Sequence, residues 1–268
     1  ILRQMGFQTV VCPPFKDQKD GAYGDYKTRP LTAELKSADL LITFGGDGTI
    51  LHLAKLTALN QVPVLGINLG SLGFMSELEP DELERLRDLK NWDLSIENRM
   101  MLDVSVVRDG RTVYNTIALN DAVISKGSIA RVVRLEIYTE EGFLTWVGGD
   151  GVVISTPTGS TGYSMATGGP IVEPTARNIL ISPICPHSTR SSSYVLDPSH
   201  VIHVKAPDAN RKFVYLSSDG GKAFSLKNND TVQAKLSSHS MKLVRLSKKS
   251  FCEILDKKMA MEAAKYEK

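Results

Sequence analysis

Near residue 99 the hydrophobic period of this 268-residue chain changes, and few architectures can absorb such a change. Before it, short apolar runs alternate with segments whose apolar residues recur every three or four positions. Strands are expected at 8–12, 39–44 and 62–67, and helices near 31–37, 49–59 and 80–89. The last of these opens on Pro80, places Asp81 and Glu82 in its first turn and lines Leu83 and Leu86 along one side. Strands and helices in alternation make a parallel sheet covered by helices. Beyond residue 99 the period is two. The run 101–108 meets an Asp109-Gly110 turn and then 112–119, which spells a hairpin. Further strands are expected at 131–139, 143–147, 151–155, 200–205, 212–217, 223–226, 230–236 and 241–246.

The expected fold is therefore an α/β N-terminal domain over 1–98, built on a parallel Rossmann-like sheet, followed by a β-rich domain over 99–248. The tail, 249–268, sets Phe251, Ile254, Leu255 and Met259 at helical spacing among charges, as an amphipathic helix returning to the first domain does. Residues 1–6 read as the tail of another amphipathic helix, stopped at Gly6. A first strand and most of that helix are accordingly expected ahead of Ile1. The stretch 16–27 is polar, glycine-bearing and mixed in charge, and reads as a surface loop, with a lid as the second reading.

Charge and cysteine usage narrow the function classes. The formal charge of +2, from 32 basic and 30 acidic residues, supplies no global field for nucleic acid or a membrane surface. No apolar run approaches the roughly 18 residues of a membrane span. Cys12, Cys185 and Cys252 are odd in number and far apart, which fits reduced thiols in a cytoplasmic protein. His200 and His203 fall on opposite sides of a strand pattern, and no residue set for a protein-held metal is evident. The stretch 181–188 reads as a rigid turn pinned by Pro183 and Pro186 around Cys185 and His187.

Chemistry concentrates in glycine-rich turns. Gly45-Gly46-Asp47-Gly48 sits between the strand 39–44 and the helix 49–59, where glycines let a polyphosphate approach the backbone and the first helical N–H groups point out unpaired. A carboxylate at such a place is costly unless it binds a metal or takes a proton from an attacking hydroxyl. The stretch 66–74, with Asn68, Gly70, Gly73 and Phe74, follows the next strand and lines the same carboxyl edge; two tight turns required by topology alone is the plainer reading. Asn120-Asp121 ends a strand, either as an ordinary turn or as an amide and a carboxylate that grip vicinal hydroxyls. Gly148-Gly149-Asp150-Gly151 precedes the strand 151–155, which runs into Thr156-Pro157-Thr158-Gly159-Ser160-Thr161-Gly162-Tyr163-Ser164. Its hydroxyls and phenol offer hydrogen bonds to phosphate and sugar without adding charge. The sequence has no Gly-x-x-x-x-Gly-Lys-Ser/Thr loop and no Gly-x-Gly-x-x-Gly fingerprint, so a nucleotide here must be held by another design.

Taken in order, Gly45 to Thr49, Gly70 to Phe74, Leu119-Asn120-Asp121, Gly149-Asp150-Gly151 and Thr156 to Tyr163 resemble the NAD kinases, and 181–188 looks like the bacterial branch. The resemblance implies transfer of the γ-phosphoryl group of ATP, or in some members polyphosphate, to the 2′-hydroxyl of the adenosine ribose of NAD, with a divalent metal, usually Mg²⁺. It makes Asp47 the general base, sometimes also a metal contact, and brings the N–H groups of Gly46 and Gly48 to the phosphates. It packs Phe74 near the adenine, sets Asn120 and Asp121 on the adenosine ribose, and uses Thr158, Thr161, Gly162 and Tyr163 for adenine, sugar and phosphate. Asp150 would meet the nicotinamide half, commonly across a subunit boundary of a dimer or tetramer. Two positions depart from the pattern: Gly162 stands where many members carry alanine, and Asp121 where many carry glutamate. A lipid or sugar kinase sharing the Gly-Gly-Asp-Gly turn, or a non-catalytic NAD(P) sensor, are the competing readings.

Overall fold

A computed structural model describes residues 1–13, 28–91, 94–127, 131–187, 192–247 and 249–266; the loop expected at 16–27 lies outside the described residues. The chain forms two compact units, Ile1–Glu97 with Lys242–Lys268, and Asn98–Met241.

In the first unit, a 3₁₀ turn over Leu2–Met5 ends at Gly6, whose φ of 89° only glycine adopts without strain. The strand expected at 8–12 does not form. Among the described residues only an isolated parallel bridge joins Val11 to Thr28, and Pro13, which follows Cys12, cannot donate to a ladder. Next come α1 (Leu31–Glu34), β1 (Leu41–Phe44), α2 (Asp47–Asn60) and β2 (Val64–Ile67). β1 and β2 are parallel, with Leu41 opposite Val64 and Phe44 opposite Ile67. α2 buries Ile50, Ala54, Thr57 and Ala58, a stripe at spacings of three and four, and closes on Gln61 in the left-handed region.

Residues Pro80–Asn91 wind as a 3₁₀ helix rather than the expected α-helix. The physical reason is a spacing of three: Leu83, Leu86 and Leu89 line up at three residues per turn, and they pack into a core with Leu65, Ile67, Leu78 and Val244. The C-terminal helix α5 (Phe251–Tyr266) belongs to this unit. Its Phe251 ring lies 6.1 Å from that of Phe74, and Lys258 Nζ donates to the Leu72 carbonyl at 3.1 Å.

The second unit is a β-sandwich. Its strands are β3 (Ser95–Arg108), β4 (Arg111–Ala118), β5 (Asp121–Lys126), β6 (Val133–Thr139), β7 (Gly142–Gly149), β8 (Gly151–Ser155), β9 (Ile179–Ile184), β10 (Tyr194–Leu196), β11 (Ile202–Lys205), β12 (Val214–Ser218), β13 (Phe224–Ser225) and β14 (Thr231–Arg245). Short helices α3 (Tyr163–Ala166) and α4 (Ala209–Lys212) interrupt them, and β3 and β14 continue into the first unit's residues. One sheet runs β4-β3-β14-β11-β6-β7, the other β10-β9-β8-β5-β12-β13. The core between them takes Leu102, Val104, Leu135 and Val232 from the first sheet and Ala122, Ile124, Val152 and Ile154 from the second.

Three readings are corrected here. The expected strands 230–236 and 241–246 are one continuous strand, β14. β5 and β10 are strands that the sequence pattern did not reveal. Residues 181–184, read as part of a rigid turn, are the end of β9, where Pro183 sits opposite Val152. β10 pairs with Ile179, Leu180 and Ile181, so among the described residues Pro183 has no ladder neighbour on that side that needs its missing N–H. Only from Cys185, at φ 43°, does the turn begin.

Candidate active site

In the first unit the Gly-Gly-Asp-Gly turn lies where β1 ends and α2 begins, with Gly46 as the helix N-cap and Asp47 its first residue. The Asp47 carboxylate accepts from the N–H of Phe74 at 2.7 Å and from that of Met75 at 3.0 Å. These charge-assisted bonds fix its orientation, and each oxygen keeps a further lone pair. The approach requires Gly73, because a Cβ there would stand 2.2 Å from Asp47 Oδ1. Gly45 is likewise fixed by packing, its Cβ position being 2.2 Å from Thr49 Oγ1. Gly46 and Gly48 differ: a Cβ at either meets nothing within 4 Å. A side chain at either position would point into open space among the described residues.

The 74–77 segment is itself held from behind. Arg245 pairs with Glu77 at 3.2 Å and Glu97 at 3.1 Å, and it also donates to the carbonyls of Phe74, Met75 and Ser76 at 3.4–3.5 Å. Drawing the Phe74 carbonyl one way turns the N–H of the same peptide, that of Met75, the other way, toward Asp47. The Phe74 ring is buried against Phe251, with Lys258 Nζ 4.6 Å from its centroid, so what Phe74 gives the turn is its N–H.

In the second unit the hydroxyl-rich segment 156–163 is not a loop. It forms a 3₁₀ turn, Thr158–Thr161, that runs through Gly162 into α3. Thr156 fastens it to the start of β5, donating its N–H to Asn120 O at 2.9 Å and its hydroxyl to Leu119 O at 2.6 Å. Gly159 lies flat on Asn120, whose carbonyl oxygen would be 2.1 Å from a Cβ at 159. Thr158 is buried and accepts from Arg99 at 3.3 Å, while the Thr161 hydroxyl donates to Thr158 O. At Gly162 a Cβ would meet Gly159 O at 3.3 Å and Asn120 Nδ2 at 3.6 Å, so an alanine here would fit this turn with little adjustment.

Asn120 and Asp121 stand beside this turn. Among the described residues Asn120 Oδ1 is buried with no hydrogen-bond partner, an orphan acceptor that a ligand donor would satisfy. Asp121 is 6% exposed and opposite Ser155, on the face of β5 turned away from the sandwich core. Burial first, and then the negative charge of Asp219, push its carboxyl from 3.8 up to about 7. A raised carboxyl stabilises the fold fully below its unfolded value near 3.8 and loses that contribution as pH rises through about 7. Asp121→Asn is therefore expected to raise the melting temperature by several degrees at pH 8, with the gain shrinking toward pH 4; calorimetry across that range checks it.

Asp150 joins β7 to β8 and pairs with Lys126 at 2.5 Å. The glycines around it answer to packing: a Cβ at Gly149 would strike Ile184 O at 2.7 Å, and one at Gly151 would strike Ile124 O at 2.2 Å. Tyr163 is 45% exposed, and burial of its hydroxyl, followed by its electrostatic neighbours Cys185, Asp150 and Asp121, pushes the phenol above its usual range. The second unit thus gathers Asn120, Asp121, Asp150, Thr158, Gly162 and Tyr163, while Asp47, Gly46, Gly48 and Phe74 stand together in the first. Lys126, Arg99 and Asp219 were not singled out in the sequence. Asp219-Gly220 repeats the Asp-Gly signal of the 109–110 turn, and only the fold shows where its carboxylate goes.

An aspartate at a glycine-flanked helix start in one unit, and a hydroxyl-lined turn beside a buried amide and carboxylate in the other, fit a phosphotransferase that acts on nucleotides. Residues 5–89 match the ATP-NAD kinase N-terminal domain, and residues 119–246 the ATP-NAD kinase C-terminal domain. The NAD kinase of Acetivibrio thermocellus is 38% identical over 219 residues, 81% of this chain and 76% of its own. That of Geobacter sulfurreducens is 41% identical over 223 residues, 83% of this chain and 78% of its own. Among solved structures, yeast NADH kinase complexed with NADH aligns at a TM-score of 0.76 and 31% identity, covering 86% of this chain and 67% of that one. An Archaeoglobus fulgidus NAD kinase in complex with ATP shares the fold at a TM-score of 0.68 and 23% identity, over 83% of this chain and 85% of that one. The chain belongs to the NAD kinase family.

Proposed function

We propose that the protein transfers the γ-phosphoryl group of ATP to the 2′-hydroxyl of the adenosine ribose of NAD, giving NADP. The observation that carries this reading is the Asp47 turn: a carboxylate fixed by two backbone N–H groups, beside glycines whose open faces suit phosphate oxygens. Asp47 takes the proton of the attacking hydroxyl, and the N–H groups of Gly46 and Gly48 receive the phosphates. Asn120 and Asp121 hold the ribose hydroxyls, Asn120 using the acceptor left unpaired in its buried side chain. Thr158, Thr161, Gly162 and Tyr163 line the adenosine, and Asp150 with Lys126 receives the nicotinamide half.

A divalent ion, Mg²⁺ in this reading, fits the donor set in one way. The described residues hold no cluster of three or more metal-ligating side chains, so the ion arrives on the triphosphate and Asp47 offers the protein carboxylate, an arrangement usual for Mg²⁺. Bound there, it would neutralise charge building on the transferred phosphoryl group. The protein is further read as a cytoplasmic homo-oligomer, supported by its unpaired cysteines and by the exposed Phe143 and Trp146 on the edge strand β7. Among the described residues no helix is long and apolar enough to cross a membrane.

The test is direct. The protein is incubated with ATP, Mg²⁺ and either NAD or NADH, and the phosphorylated dinucleotide is quantified. NADP is expected; its absence, with another alcohol phosphorylated instead, overturns the assignment.

A further inference from the structure

At the end of β12, Asp219 and Gly220 form the two central residues of a tight turn, with φ of 50° and 67° and a Gly221 N–H to Ser218 O bond of 2.8 Å. Both positive φ values mark the hairpin turn in which Asp-Gly and Asn-Gly are favoured. Turn formation alone does not account for where the side chain goes. The Asp219 carboxylate accepts from three consecutive backbone N–H groups: Leu119 at 2.7 Å, Asn120 at 2.7 Å and Asp121 at 3.1 Å. Its own N–H donates to Asp121 O at 3.0 Å, closing a reciprocal lock on the β4–β5 connection.

We propose that Asp219 is the positioning residue of the dinucleotide site, setting the Asn120 and Asp121 side chains at the adenosine ribose through this three-donor lock. The inference rests on the site assignment made above. Three features support it. The 119–121 backbone is also the floor on which Gly159 and Thr156 rest, so one carboxylate fixes both the amide–carboxylate pair and the hydroxyl turn beside it. Burial raises the Asp219 carboxyl above its usual range despite the three N–H groups that favour its charge, so it is kept where it costs most. The charged or titratable groups acting with Asp121 are Asp219 from the β12 turn and Tyr163 from α3, and of these Asp219 raises it. Asp219 therefore shapes the site's pH response as well as its geometry.

The chemistry of the turn supplies a clean test. Asparagine at the first central position of an Asn-Gly turn keeps the hairpin, but its amide would turn a donor toward one of the three N–H groups. Glycine keeps the positive φ and removes the carboxylate altogether. NAD dissociation constants are measured by titration calorimetry between pH 5.5 and 8.5 for the wild type, Asp219→Asn and Asp219→Gly, alongside steady-state kinetics and melting temperatures. Weakening of NAD binding by about tenfold for Asn and more for Gly is expected, with kcat at saturating NAD within about threefold and the KM for ATP unchanged. Loss of NAD affinity at acid pH is expected to begin at a lower pH in both variants than in the wild type, because one cause of the raised Asp121 carboxyl is gone. Wild-type NAD affinity in a folded variant, an unshifted pH profile, or kcat and both KM values worsening together would overturn the proposal. A wild type that binds NAD but makes no NADP would sink the reaction assigned above and leave this inference standing. One that makes NADP, with variants binding NAD normally, does the reverse.

Discussion

Replacing Asp47 with asparagine is expected to lower NADP formation by about a thousandfold while leaving the NAD dissociation constant within a few-fold of the wild type. The side chain keeps its length, and one oxygen can still accept from the N–H of Phe74 or Met75. What disappears is the capacity to take a proton. The effect falls on turnover because the ribose contacts are proposed for Asn120 and Asp121 and not for Asp47. Kinetics under saturating ATP and NAD, with calorimetric NAD binding in parallel, separate the two. Near-normal turnover in a folded Asp47→Asn protein would remove Asp47 from the base role, and a matching loss of NAD binding would make it a binding residue instead.

Gly159→Ala is expected to damage the second unit more than any surface change could. A Cβ at this position would stand 2.1 Å from the carbonyl oxygen of Asn120, 2.6 Å from its carbonyl carbon and 2.8 Å from its Cα. All three are backbone atoms, so no side-chain rotation relieves the overlap. The 3₁₀ turn must lift from the start of β5, which strains the Thr156 bonds to Asn120 O and Leu119 O. Overpacking of this kind costs about 1–3 kcal/mol, or roughly 2–12 °C in melting temperature for a protein of this size. NAD affinity should fall by about a hundredfold, because Thr158, Tyr163 and Asn120 lose their common frame. An alanine variant that melts and binds NAD like the wild type would show that the turn has slack the structure does not display.

How much of this was legible in the residues depends on how local each signal is. The switch to a two-residue period foretold the β-rich unit, and the 109–110 hairpin was readable because an Asp-Gly pair between alternating runs is a short-range signal. Strand 8–12 was misread because an apolar run shows propensity but not whether a neighbouring strand exists to pair with it. The helix at 80–91 was misread in type, since leucines at three-residue spacing satisfy both an α and a 3₁₀ reading over a few turns. β9 escaped because Pro183 argues against a strand unless one knows that β10 stops short of it. At the site, the composition of 156–163 was informative, but its winding into a helical turn on Asn120 was not. Asp219 could not have been found from sequence: it stands about a hundred residues from the amides it binds, and its Asp-Gly dipeptide is fully explained by the turn.

The glycines of the two Gly-Asp-Gly motifs look alike and carry opposite kinds of information. Those flanking Asp150 are bare because the protein's own backbone fills the space, so any change there announces itself as misfolding. Those flanking Asp47 are bare toward empty space, and Gly48 lies in the first turn of α2, where alanine is the better helix former. A variant library sorted on yield or heat resistance is therefore expected to accept alanine at 46 and 48 and even reward it at 48, enriching proteins that fold well and have lost the room proposed for a phosphate. If the phosphate role proposed for these glycines holds, thermal robustness and catalytic fitness part company at the two residues that flank Asp47, and only a screen that includes the nucleotide would see the difference.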